Sequence, residues 1–207
     1  MASISDNAVV HLVDDDEEVR RALAFLLGTA GMAVRVYESA NILLDKLDVT
    51  QFGVIVSDVR MPGIDGIQLL QHLKQRKVNL PVIVMTGHAD VALAVAAMKA
   101  GAADFIEKPF SDEVLFGAIQ SALERYDRPG QLDSEAVATA RARLATLSDR
   151  EKQVLGGLLA GHPNKTIAYD LGISPRTVEV HRASVMKKMD SNSLSKLVRM
   201  TLQAGNT

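Results

Sequence analysis

The sequence predicts a doubly wound α/β domain of five parallel strands, followed by a small all-α domain. Two observations carry this. Up to about residue 126, short apolar runs rich in Val and Ile alternate five times with helical stretches. That is the pattern of a parallel sheet covered on both faces by right-handed crossovers. From Ser148 onward there are no strand patterns, only apolar residues at helical spacing.

The elements follow in order. AVVHLV (8–13) is a buried strand that runs into three aspartates. Residues 17–30 place Val19, Leu23, Leu26 and Leu27 on one helical face, and Gly31 stops the helix. AVRVY (33–37) is the second strand, and Ser39 caps a helix through Leu47. VIVSD (54–58), the loop RMPG and a helix from Gly66 to Arg76 come next. PVIVMT (81–86), a helix over 90–100, ADFIE (103–107) and a Ser111-capped helix to Arg125 complete the domain. The run from Tyr126 to Gly130 contains Asp, Arg, Pro and Gly and breaks any continuing helix. Residues 134–147 have strong helix propensity but a thin apolar face. The expected layout is a domain over 5–126, a partly helical linker over 127–147 and a helical domain over 148–207. In the last, helices are expected over 149–160, 164–171, 175–189 and 193–204.

Composition narrows the function classes. Hydrophobic residues make up 47% and charged residues 23%, so the chain can build a core without staples. With no cysteine, a disulfide scaffold, a thiol nucleophile and thiolate-bound metal are excluded. The start carries no basic segment before an apolar stretch, and VALAVAAM (91–98) is too short to span a bilayer. A cytoplasmic protein with no membrane partner is expected. Charge is uneven: residues 1–147 sum to −6 and residues 148–207 to +4. A basic small domain is compatible with nucleic acid, or is a chance surface asymmetry.

The strand ends carry the chemistry. Asp14, Asp15 and Asp16 follow the first strand, Asp58 ends the third, Thr86 ends the fourth and Lys108 follows the fifth. Parallel packing gathers these ends on one edge of the sheet. Each residue alone has an ordinary reading as a turn, a cap or a solvated charge. Four such coincidences at four strand ends argue for a site. Clustered carboxylates repel, and a hard divalent cation such as Mg²⁺ relieves the repulsion. A lysine and a hydroxyl beside them suit a phosphoryl group, and the central carboxylate can attack phosphorus.

This pattern resembles the receiver domain of two-component response regulators, a flavodoxin-like fold. The matching segments are VDDD (13–16), SDVRMPGIDG (57–66), VMTGHAD (84–90) and FIEKPF (105–110). The resemblance implies that Asp58 accepts a phosphoryl group from a phosphohistidine on a sensor histidine kinase. It implies Mg²⁺ held by Asp15, Asp58 and the backbone carbonyl of Arg60, with Asp14 acting through water. Thr86 and Lys108 would bind phosphoryl oxygens, and Phe105 would be an aromatic switch that turns inward with Thr86. Lys108–Pro109 is often cis in such domains. Asp16 has no metal role by this match and starts the first helix. Pairing in the family uses the fourth helix and fifth strand, here Val91, Val95, Lys99 and Asp104, although the valines could equally face the sheet. Arg60 and His88 flank the pocket.

Residues 164–182 form a second motif. Ile167, Ala168 and Leu171 give a first helix an apolar side, and Gly172 allows a tight turn. Ser174 caps a second helix with Pro175 at its first position. This is helix-turn-helix spacing, in which the second helix enters the major groove. Candidate contacts are Arg176, Thr177, Glu179, Val180, Arg182 and Ala183, with Lys187 and Lys188 toward the backbone. Glu179 can accept from a cytosine amino group or point away. The bare motif also fits a helical packing unit that touches no nucleic acid. LSDRE (147–151), NKTIA, LGIS and SPRTVEVH resemble the LuxR-type DNA-binding domain. In that family His181 packs between helices and the last helix dimerises.

The two resemblances together describe the NarL/FixJ response regulators, with TGHADVALAVAAMKAGAADFIEKPF (86–110) closest to the nitrogen-fixation branch. The implied protein is not an enzyme. It is a regulator, in the activating sense, whose phosphorylation promotes homodimerisation, promoter DNA binding and contact with RNA polymerase. In the nitrogen-fixation branch the kinase is the haem-based oxygen sensor FixL. A different class fits the aspartates alone: an aspartyl-phosphate phosphatase or phosphotransferase with a helical docking tail, for which Asp14–Asp15–Asp16 supplies the Asp-x-Asp pattern. A regulator that works without phosphorylation is disfavoured by the full set of Asp14, Asp15, Asp58, Thr86 and Lys108.

Overall fold

A computed structural model describes residues 8–48, 51–87, 91–127 and 131–205. His88 lies outside the described residues. The first part alternates β1 (Val9–Val13), α1 (Glu17–Thr29), β2 (Ala33–Tyr37), α2 (Ala40–Lys46), β3 (Gly53–Asp58), α3 (Gly66–Gln75), β4 (Val82–Thr86), α4 (Val91–Ala100), β5 (Asp104–Glu107) and α5 (Asp112–Asp127). The strands are all parallel, in the order β2-β1-β3-β4-β5. The expected α/β architecture is therefore present, with most element ends within a residue or two of those read from the sequence.

Burial follows position in the sheet. The three central strands, β1, β3 and β4, are buried along their whole length, which is why they read as unbroken apolar runs. The edge strand β2 is exposed over most of its length. One face of the sheet packs Val10, Leu12, Val54, Val56, Ile83 and Met85 against Leu23 and Leu27 of α1 and Leu115 and Ile119 of α5. Leu43 of α2 and Leu69 of α3 are also fully buried. Helix starts are fixed by capping: Asp16 accepts from the Glu18 and Val19 amides, Ser39 from Ile42, and Asp65 forms a capping box with Gln68.

The second part is helical: α6 (Gln131–Ala145), α7 (Asp149–Leu159), α8 (Asn164–Leu171), α9 (Pro175–Lys188) and α10 (Leu194–Gln203). Ser148 and Glu151 form a capping box on α7, and Ser174 caps α9 with Pro175 at its first position. Gly172 has φ +63°, the left-handed turn that a glycine makes without penalty. Val154, Leu158, Ile167, Val178, Val185, Met189 and Leu197 fill the core. Among the described residues, 8–48, 51–87 and 100–127 form one compact unit and 91–99 with 131–205 the other, so α4 groups with the helical unit.

Candidate functional site

Strand register builds the pocket. β1 and β3 are neighbours at the point where strand order reverses, with Val13 opposite Ser57. One residue further along, Asp14 and Asp58 leave their strands side by side. Asp58 is opposite Met85 on β4, and Thr86 is opposite Glu107 on β5, which brings Lys108 to the same edge. The Lys108 amide donates to the Thr86 carbonyl at 2.7 Å, and Lys108–Pro109 is cis.

Lys108 Nζ lies 2.8 Å from Asp14 Oδ2 and 2.7 Å from Asp58 Oδ1. Asp14 is 1% exposed, Asp58 8% and Thr86 1%. Burial pulls the Lys108 ammonium toward the neutral form, but its bonds and charge attraction to Asp14 and Asp58 outweigh this and raise its pKa. The second Asp58 oxygen, Oδ2, accepts from the Arg60 amide at 2.6 Å, and the Asp58 carbonyl accepts from Ser57 Oγ at 2.9 Å. Asp15 is exposed at the rim and Phe105 is half-buried.

Two further residues shape the pocket from outside the strand-end cluster. Arg20 Nη1 donates to the Asp14 carbonyl at 2.6 Å and pins the turn after β1. Gly66 begins α3 against the end of β3, where an added Cβ would lie 2.5 Å from the Asp58 carbonyl oxygen. The signal for Gly66 was its place in SDVRMPGIDG. Arg20 carried none, because its partner is a backbone carbonyl.

The oxygen donors Asp14, Asp15, Asp58 and the Arg60 carbonyl suit Mg²⁺, which takes few protein ligands and keeps several waters. Asp14 and Asp58 already share one cation, Lys108, so the pocket accepts positive charge between them. Among the described residues no three such side chains converge on a ready-made metal site, so ion binding would have to draw in exposed Asp15 or the Arg60 carbonyl.

The residues named for pairing are placed differently from one another. Val95 is buried, Val91 and Asp104 are half-buried, and Lys99 is exposed. On α9, Arg176, Glu179, Ala183 and Lys187 are exposed and Val180 is 63% exposed, while Thr177 and Arg182 are half-buried. Thr177 Oγ1 is 2.8 Å from Ser174 Oγ, within the cap of the helix. Lys188 is committed to protein partners: its Nζ is 2.7 Å from Glu151 Oε2 and 3.3 Å from the Thr146 carbonyl. Its network holds Glu151 at a pKa of about 2, through bonds from Lys188, Ser184 and the Ser148 amide.

Comparison with known proteins decides the family. Residues 10–120 match the response regulator receiver domain, and residues 145–201 match the luxR family of bacterial regulatory proteins. The chain is a response regulator of the FixJ type. It is 54% identical to the transcriptional regulatory protein FixJ of Rhizobium meliloti, over 95% of this chain and 96% of that protein. It is 51% identical to FixJ of Bradyrhizobium diazoefficiens, over 95% of each chain. The structure of full-length FixJ from B. japonicum matches with a TM-score of 0.57 at 48% identity, covering 97% of this chain and 98% of that one. This response regulator thus joins a receiver domain to a LuxR-type DNA-binding domain and acts in transcriptional regulation. Among its described residues no helix is long and apolar enough to cross a membrane.

Proposed function

We propose that this response regulator is switched by phosphorylation of Asp58 and, once phosphorylated, binds promoter DNA through α9 as a homodimer to activate transcription. The observation that carries the proposal is the Lys108 ammonium shared by Asp14 and Asp58 at the switch point of the sheet. An Asp58 carboxylate oxygen attacks the phosphorus of a kinase phosphohistidine. The P–N bond breaks, the imidazole leaves, and an acyl phosphate forms. Lys108 offsets the phosphoryl charge and Thr86 donates to a phosphoryl oxygen. Asp14, Asp15, Asp58 and the Arg60 carbonyl would hold Mg²⁺, which supplies charge neutralisation of the transferring group. Thr86 and Phe105 then relay the change to a pairing surface that includes Val91, Lys99 and Asp104; Val95, expected there from the sequence, is buried and does not belong to that surface.

The receiver is assigned to 5–126 and the DNA-binding domain to 148–207. In the DNA complex, Arg176 and Lys187 contact phosphates, and Val180 and Ala183 contact base edges such as thymine methyls. The likeness to FixJ supports a nitrogen-fixation gene set and a FixL-like kinase; the regulator would act in the cytoplasm, through contact with RNA polymerase at nitrogen-fixation or microaerobic promoters. Their description as transcriptional regulators also favours regulation over enzymatic turnover.

The test is the intact mass of wild-type and Asp58→Asn protein after acetyl phosphate treatment, with and without Mg²⁺. One Mg²⁺-dependent phosphoryl adduct that is absent from the variant is expected. An adduct retained by Asp58→Asn contradicts the assignment. Turnover of small phosphoesters would favour the phosphatase reading instead.

A further inference from the structure

We propose that Arg143, on the helix between the two expected domains, is a positioning residue for DNA recognition. It fixes the C-terminal end of α9 and thereby the placement of that helix's base-reading half. Arg143 Nη1 donates to the Met189 carbonyl at 3.0 Å, and Nη2 pairs with Asp190 at 2.9 Å. Met189 is the C-cap of α9, where orphan carbonyls and the negative end of the helix dipole favour a cation. Asp190 has φ +50°, a left-handed conformation that costs a non-glycine residue energy. Arg143 meets its carboxylate there and offsets that cost.

The rest of α6 supports the same role. Ala140 and Leu144, with Leu147 just beyond the helix, are buried in the helical core, so the segment is anchored against it. Beside the arginine, Lys188 donates to the Thr146 carbonyl and pairs with Glu151, and Ser184 Oγ donates to Glu151 at 2.6 Å. The C-terminal end of α9 is therefore clamped from α6 and α7, while Arg176, Glu179 and Val180 are exposed in its N-terminal half. Val180 lies about 14 Å along the helix from Met189, so a tilt of a few degrees at the clamp moves it by about 1 Å. Arg141, by contrast, donates to the Ala204 carbonyl at the C-cap of α10, and among the described residues it has no hydrogen bond to α9.

The experiment uses the full chain treated with acetyl phosphate and Mg²⁺. One probe is a duplex selected from a random pool by the wild-type protein; the other is the same duplex with its sequence shuffled. Arg143→Ala is expected to bind the selected duplex about tenfold more weakly, the shuffled duplex within about twofold, and so to lose specificity. Arg143→Lys, which reaches one acceptor at a time, restores part of the ratio, and Arg141→Ala leaves it unchanged. Asp190→Asn keeps the turn and the Met189 bond and lowers the ratio by about threefold. An unchanged ratio in both Arg143→Ala and Asp190→Asn overturns the proposal. So does an equal loss of both affinities together with the thermal transition of the helical unit, or an Arg141→Ala effect as large as that of Arg143→Ala.

Discussion

Lys108 balances two buried carboxylates, and its removal leaves Asp14 and Asp58 facing each other with no cation between them. Lys108→Ala is expected to slow adduct formation on Asp58 by at least about tenfold, read as the rate of mass gain under acetyl phosphate. Gly66 acts through space: a Cβ there would lie 2.5 Å from the Asp58 carbonyl oxygen and 3.0 Å from Val59 Cα, both backbone atoms. Gly66→Ala is expected to cost about 1–3 kcal/mol by urea denaturation and to slow phosphorylation as Asp58 shifts. The neighbouring lysines of α9 should separate cleanly. Lys187 is exposed, so Lys187→Ala reduces the salt slope of DNA binding by about 0.9 per contact. Lys188 is tied to Glu151, so Lys188→Ala chiefly destabilises the helical unit, by about 2 kcal/mol in thermal denaturation.

At the scale of elements, β1 carries a polar residue in its interior. His11 is fully buried, its Nδ1 lies 2.9 Å from Tyr37 Oη, and Nε2 has no hydrogen-bond partner among the described residues. Burial, and then the Arg35 charge, lower its pKa from 6.5 to about 4. The unfolded chain therefore binds the extra proton first: stability is complete above pH 6.5 and is lost as pH falls toward 4. Thermal midpoints should fall between pH 6.5 and about 5, and His11→Gln should flatten that decline. Nothing in AVVHLV marks His11 as partnered, because Tyr37 sits on the next strand. The central strands and the capped helices were legible because burial on both faces and capping are local to the chain. α6 was legible only as a helix with a thin apolar face. Ala140, Leu144 and Leu147 do recur at helical spacing, but the partners that bury them are far along the chain.

Across the whole molecule, the acidic first part and the basic last part match a division of labour between phosphate chemistry and nucleic-acid binding. The aspartates, Thr86 and Lys108 could be gathered in advance because strand ends in a parallel sheet share one edge. Their bonds could not: that Lys108 bridges Asp14 and Asp58, or that Arg20 pins the turn after β1, depends on side-chain reach rather than spacing. The same holds for Lys188, which its place on the second helix of the helix-turn-helix motif assigns to the DNA backbone and the folded chain ties to Glu151. In the proposed function, one covalent event on Asp58 joins the two ends of the chain. Its most direct test is the affinity of the full chain for the selected duplex, measured for wild-type and Asp58→Asn protein before and after acetyl phosphate with Mg²⁺. Wild-type binding is expected to tighten by at least about tenfold while Asp58→Asn stays at the untreated level. Equal affinity in all four samples, or the same tightening in the variant, would contradict the proposed function.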